Sequence, residues 1–155
     1  MMSLSDLLSA KSVLGTLNAS NRKQALQMIS EAAAAKLELD SRIIFDAIME
    51  RERLGSTGVG DGVAIPHARL EGLDRVFGLF ARLKTPIDFD AIDGRPVDLI
   101  FLLLAPEASS TEHLKALARI SRVFRREDTR SQLRATDTRE GMTALLTLQS
   151  ESDAA

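Results

Sequence analysis

VDLIFLLL, residues 97–104, is almost continuously apolar and is cut off by Ala105-Pro106. A run of this length and pattern is expected for a β-strand buried on both faces, which needs cover from two sides. Helical layers on either side of a sheet supply that cover, so an α/β architecture is expected. Immediately upstream, the segment from Pro86 to Pro96 is rich in Asp, Gly and Pro and reads as a connector. Before it, VFGLFARL (76–83) reads as a second strand with Phe77, Leu79, Ala81 and Leu83 on one face. Downstream, Ser110 or Thr111 is placed to cap a helix whose Leu114, Leu117, Ile120 and Phe124 face inward. One or two shorter helices follow to about Gln149, and residues 150–155 read as a flexible tail.

The N-terminal half supplies further helices. Residues 1–19 read as a lead-in with at most a helical turn. Ser20 and Asn21 are plausible caps for a helix that carries Ala25, Ile29, Ala32 and Lys36 on one face, with Leu26, Ala33 and Leu37 beside it. A second helix starts at Asp40 or Ser41, places Ile43, Ile44, Ala47 and Ile48 on one stripe, and ends near Glu52. RLGSTGVGDG (53–62) then concentrates four of the nine glycines, a density that excludes regular helix and suggests a tight backbone turn or nest. Val63, Ala64 and Ile65 form a short strand ended by Pro66.

Composition is consistent with one globular unit. The chain has 155 residues, 45% apolar and 27% charged, and no internal repeat or linker divides it. A single α/β domain, a sheet covered by helices, is the expected fold. Twenty basic and 22 acidic residues leave a formal charge of −2, which gives no electrostatic footprint for nucleic acid or an anionic membrane. There is no cysteine, hence no disulfide framework or thiolate metal site. The start MMSLSDLLSAKSVLG reads poorly as a signal peptide, and no run approaches the roughly 20 apolar residues of a membrane span. A cytoplasmic location is expected.

Candidate chemistry centres on the two histidines, His67 and His113. His67 follows a proline just after the glycine-rich loop, where converging backbone N–H groups would attract an anion. Its neutral imidazole would be a competent nucleophile there; a surface histidine on a turn is the other reading. His113 falls on the inward side of the first turn of its helix, where the helix dipole favours negative charge. A bound phosphoryl group is one candidate for that charge, and a buried histidine satisfied by a carbonyl is the alternative. Arg51 continues the apolar stripe of Ile44, Ala47 and Ile48, so it needs a partner: a glutamate, or a phosphoryl group held by its planar guanidinium. Ser56, Thr57 and Gly58 of the adjoining loop are candidates for a phosphoryl-binding loop. The loop lacks the Gly-Lys-Ser/Thr ending of a nucleotide P-loop and does not fit the dinucleotide fingerprint. No metal site is expected, because the histidines lie far apart without a short-range ligand pair.

RERLGSTGVGDGVAIPHARL (51–70) resembles the active-site region of the fructose- and mannitol-type enzyme IIA domains of the phosphoenolpyruvate-dependent phosphotransferase system. Together with TPIDFDAIDGRPVDLIF (85–101) and EHLKALARIS (112–121), it is most similar to the nitrogen-regulatory branch of that family. The resemblance covers about residues 5–147. It implies a small mixed sheet between helical layers, a phosphotransferase activity without cofactor, a phosphoacceptor at His67, and phosphoryl stabilisation by Arg51 and His113. It further implies an HPr-like phosphocarrier as donor and regulated partners such as sensor kinases or potassium transport proteins. Two other roles stand beside this one: a sugar-specific IIA passing phosphate to a IIB cysteine, and a non-catalytic interaction module. Ala68 departs from the glycine that many relatives carry directly after the histidine.

Overall fold

A computed structural model of the protein describes residues 12–108 and 110–154. The strand at its centre is the apolar run that dominates the sequence, now β6 (Val97–Pro106). Its side chains alternate between two cores. Ile100, Leu102 and Leu104 enter one cluster, whereas Leu99, Phe101, Leu103 and Ala105 enter the other. That two-residue period, apolar on both sides, is why the strand shows no polar alternation.

Along the chain the elements are β1 (Val13–Leu17), α1 (Arg22–Leu37), α2 (Ser41–Arg53), β2 (Gly58–Gly60), β3 (Val63–Ala64), β4 (His67–Leu70), β5 (Phe77–Ile87), β6, α3 (Ser110–Arg125), α4 (Glu127–Ala135) and α5 (Arg139–Ala154). The sheet runs β1-β5-β6-β3-β2, with β4 also paired to β6. β5 lies antiparallel to β6, whereas β1 on β5, and β3 and β4 on β6, are parallel. The sheet is therefore mixed, with α1 and α2 contributing to the first core and α3, α4 and α5 to the second.

Capping explains where the first two helices begin. Asn21 Oδ1 accepts the Gln24 N–H at 2.8 Å, and Asp40 Oδ1 accepts the Arg42 N–H at 2.9 Å. In α1 the buried face is Ala25, Leu26, Ile29, Ser30, Ala33 and Ala34, rotated from the expected stripe so that Lys36 stays exposed. In α2, Ile44 and Ile48 are buried as expected while Ile43 points to solvent.

Four other features differ from the sequence reading. The lead-in contains β1, which is held by parallel pairing to β5 and has too little pattern of its own to be read locally. β5 continues to Ile87 through Pro86; its pairing is irregular between Arg82 and Ile87, the kind of break in which a residue without an N–H is tolerated. In α3, Leu114 is 64% exposed and Ala116 takes a buried place beside Ile120, Val123 and Phe124. α5 extends to Ala154 and so takes in most of the stretch read as a tail.

The site depends most on the junction of β3 and β4. Both run along one edge of β6, with Val63 and Ala64 opposite Leu99 and Ile100, and His67 opposite Leu103. Between them, Pro66 cannot donate, but its carbonyl accepts the Leu103 N–H at 2.9 Å and keeps the chain on the sheet. His67 therefore opens a new strand instead of following the end of one. HARL was invisible as a strand because it is short and half polar.

Candidate functional site

β4 presents alternate residues to opposite faces. Ala68 and Leu70 sink into the first core, so the methyl group of Ala68 is a core contact and His67 is left on the other side with Arg69. His67 thus stands at a place reached by helices of both layers. α2 brings Arg51 to it and the first turn of α3 brings His113. The His67 and His113 rings are 5.4 Å apart between centroids and tilted by 55°.

Both ring nitrogens of His67 are engaged, and the two partners specify the tautomer. Nδ1 lies 2.8 Å from the Ile65 carbonyl, which can only accept, so Nδ1 carries the hydrogen. Nε2 lies 3.3 Å from Nε of Arg51, which can only donate, so Nε2 keeps its lone pair. The same guanidinium donates from Nη1 to the Gly55 carbonyl at 2.9 Å.

Burial pushes the His67 pKa below its ordinary value; the Ile65 hydrogen bond opposes this, the Arg51 charge adds to it, and the Glu52 charge opposes it. Burial likewise lowers His113, with His67 and Arg69 acting in the same direction. Near neutral pH both rings are uncharged. His113 is only 8% exposed, and its Nδ1 is buried with no hydrogen-bond partner among the described residues. An orphaned ring nitrogen so close to a second imidazole is unusual, because buried polar atoms are normally satisfied.

His67 and His113 open into a cavity of about 820 Å³ that Arg51, Arg69, Glu50 and Glu107 also line. Leu54, 83% exposed, and Leu114 add apolar surface to the same cavity. Arg69 was not anticipated, because nothing marked residues 67–70 as a strand.

The loop residues are engaged with partners inside the protein. The Ser56 hydroxyl donates to the Phe89 carbonyl at 2.5 Å and accepts the Gly58 N–H at 3.0 Å. Thr57 is buried, with its N–H and hydroxyl both directed to the Glu52 carboxylate. Gly58 packs so closely on Ala91 that a Cβ would meet Ala91 Cβ at 2.7 Å. None of the three lines the cavity, whereas Arg51, His67 and His113 all do. Glu52 itself escaped sequence reasoning, although Ile44, Ile48 and Glu52 are spaced by four and share one buried stripe.

Among the described residues no group of three or more His, Asp or Glu side chains could hold a metal ion. No helix among them is long and apolar enough to cross a membrane.

Comparison with known proteins agrees with the geometry. Residues 6–148 match the family described as phosphoenolpyruvate-dependent sugar phosphotransferase system, EIIA 2. The chain is 47% identical over 147 residues to a nitrogen regulatory protein of Bradyrhizobium diazoefficiens, covering 95% of this chain and 96% of that one. It is 40% identical over 147 residues to the nitrogen regulatory protein of Escherichia coli K12, covering 94% and 90%. The crystal structure of nitrogen regulatory protein IIA-Ntr from Neisseria meningitidis superposes with a TM-score of 0.87 at 34% identity, covering 93% of this chain and 99% of that one.

Proposed function

The chain belongs to the EIIA type-2 family of the phosphotransferase system, and from that premise we propose that it is a nitrogen-branch phosphocarrier that accepts a phosphoryl group on Nε2 of His67. The observation that carries this reading is the tautomer lock: Nδ1 is held as a donor by the Ile65 carbonyl, which leaves the Nε2 lone pair beside the Arg51 guanidinium. The donor is a phosphohistidine on an HPr-like protein. Its phosphorus–nitrogen bond breaks as the bond to Nε2 of His67 forms, and the departing donor imidazole takes the electron pair. Each ring keeps the hydrogen on its other nitrogen, so no proton has to move. The Ile65 carbonyl then steadies the positive charge that the phosphorylated ring acquires.

In-line transfer through a loose transition state needs positioning and charge stabilisation more than covalent assistance. Arg51 is placed to meet the equatorial oxygens of the phosphoryl group. His113 adds a ring N–H to the same space if its hydrogen sits on the nitrogen facing His67, and the first turn of α3 adds the positive end of a helix dipole. Ser56, Thr57 and Gly58 contribute by shaping the loop that holds Arg51. Leu54 and Leu114 offer a donor protein an apolar rim around the reacting nitrogen. In this reading the chain works in the cytoplasm.

Once loaded, the site carries a phosphoryl group of about two negative charges on a positively charged ring, a change of charge and shape enough to alter which proteins dock there. Sensor kinases and potassium transport proteins are the partner types this reading favours. The similarity to nitrogen regulatory proteins over more than nine-tenths of the chain supports regulation over sugar delivery. Two parallel measurements test that choice: the affinity of phosphorylated and His67→Ala protein for such a partner, and sugar phosphorylation with purified IIB domains. A large affinity difference with no sugar phosphate supports the regulatory role. Equal affinities, or efficient delivery to a IIB cysteine, contradict it.

A further inference from the structure

The Glu52 carboxylate lies among the α2 core residues with its side chain only 1% exposed, and it does not line the cavity. A buried carboxylate is costly unless it is well bonded, so its contacts carry information. It accepts from the Thr57 hydroxyl and, at 3.3 Å, from the Thr57 N–H, and Arg22 lies 3.7 Å away. From Thr57 the connections continue to the imidazole. The Thr57 carbonyl accepts the Ile65 N–H at 3.0 Å, and the Ile65 carbonyl accepts Nδ1–H of His67 at 2.8 Å.

A second arm leaves the same residue through its backbone. The Glu52 carbonyl accepts the Gly55 N–H at 3.1 Å, and the Gly55 carbonyl accepts from Arg51, whose Nε reaches His67 Nε2. Glu52 therefore stands at the root of both hydrogen-bonded routes to the ring, one ending at each nitrogen.

We propose that Glu52 is a positioning residue for phosphoryl transfer: by tying Thr57 to the end of α2 it fixes the tautomer and orientation of His67 without touching the phosphoryl group. This inference rests on His67 being the phosphoacceptor. The charge of Glu52 also acts on the ring, holding its pKa up against burial and Arg51. The other charged or titratable groups facing this space are Arg69 from β4, His113 from α3, Glu50 from α2 and Glu107 after β6.

The test uses Glu52→Gln, which keeps the shape and removes the charge, and the pair Thr57→Val and Thr57→Ser. Nitrogen-15 NMR of the unphosphorylated proteins reads the tautomer and titration of His67, and a phosphorylated HPr-type donor reads the transfer rate per folded molecule. Glu52→Gln is expected to lower the His67 pKa, mix its tautomers and slow transfer ten- to a hundredfold, on the order of what a slightly misplaced reacting group costs. Thr57→Val is expected to mix the tautomers and slow transfer, and Thr57→Ser to restore both.

If Glu52→Gln does not fold, the Thr57 pair decides by the same readouts. Variants that only melt earlier, with tautomer, titration and rate per folded molecule as in the wild type, would overturn the proposal. Failure of the underlying reading shows separately, as a wild-type protein that takes up no phosphoryl group; the NMR measurements still decide the role of Glu52 in that case.

Discussion

Arg51 donates from Nε to Nε2 of His67 across 3.3 Å, joining a helix of one layer to the first residue of a strand at the sheet's edge. The contact places a cation against the atom that attacks in the proposed transfer, so that step requires the guanidinium to turn from the ring to the incoming oxygens. Arg51 is already anchored at the Gly55 carbonyl, which leaves a small movement for it to make.

Replacing Arg51 should therefore damage transfer far more than folding. Arg51→Ala is expected to slow phosphoryl uptake by about a hundred- to a thousandfold, the usual range for losing one charge-stabilising donor. Arg51→Lys should recover little, because an ammonium cannot hold the ring nitrogen, the Gly55 carbonyl and an oxygen with one planar group. Rapid-quench kinetics against a phosphorylated donor, alongside thermal melts, checks both parts.

The two histidines give a pH dependence of definite sign. Each has a pKa lowered from the ordinary 6.5, with burial the largest cause, so each remains a neutral ring below the pH at which a free histidine charges. Phosphoryl uptake should persist as pH falls through 6.5 and decline only lower, as Nε2 becomes protonated. Between 6.5 and the lowered values the unfolded chain binds more protons than the folded one, so stability is highest above 6.5 and decreases as pH falls through that window. NMR titration and chemical denaturation across it measure the two effects; a stability that rises on acidification there would contradict this assignment.

Gly58 reports on the loop that anchors Arg51 through the Gly55 carbonyl. A Cβ at that position would meet Ala91 Cβ at 2.7 Å and Ala91 Cα at 2.9 Å, so Gly58→Ala should cost about 1–3 kcal/mol, as overpacking does. Adding Ala91→Gly should restore part of that, since the Cβ contact disappears while the backbone contact stays. A double-mutant cycle by urea denaturation checks the coupling.

Leu103 pairs with His67 in register and is fully buried in the second core. Leu103→Ala should destabilise the fold by about 2–5 kcal/mol, the range for truncating a buried leucine. Urea denaturation measures it, and phosphoryl uptake per folded molecule should fall less than for Arg51→Ala.

How much of this could be read from sequence depended on whether the deciding interaction was local. β6 was legible because both its faces are buried, which leaves an unbroken apolar run. The starts of α1 and α2 were legible because Asn21 and Asp40 cap within three residues. β1 and β4 were not. VLGTL contains Gly15 and HARL is half polar, and each is a strand only because a distant strand offers its edge. In α3, counting large apolar residues put Leu114 inside; the buried face instead uses Ala116, which such counting underweights, together with His113, which its spacing had placed inward. Helical spacing brought Arg51 to the cavity on the Ile44 stripe, but the same stripe also carries Glu52, which sequence reading noted only as the end of the helix. The loop hydroxyls looked available because their partners, Phe89 and Glu52, are made neighbours only by the fold.

The central claim is that one imidazole carries the phosphoryl group. Incubating the wild-type protein and His67→Ala with a phosphorylated HPr-type donor, then measuring intact mass and mapping the modified residue under non-acidic conditions, tests it most directly. The expected result is a gain of one HPO₃ unit on the wild type, located at His67, and none on the variant. A wild type that stays at its original mass, or a variant that still takes up the group, would contradict it.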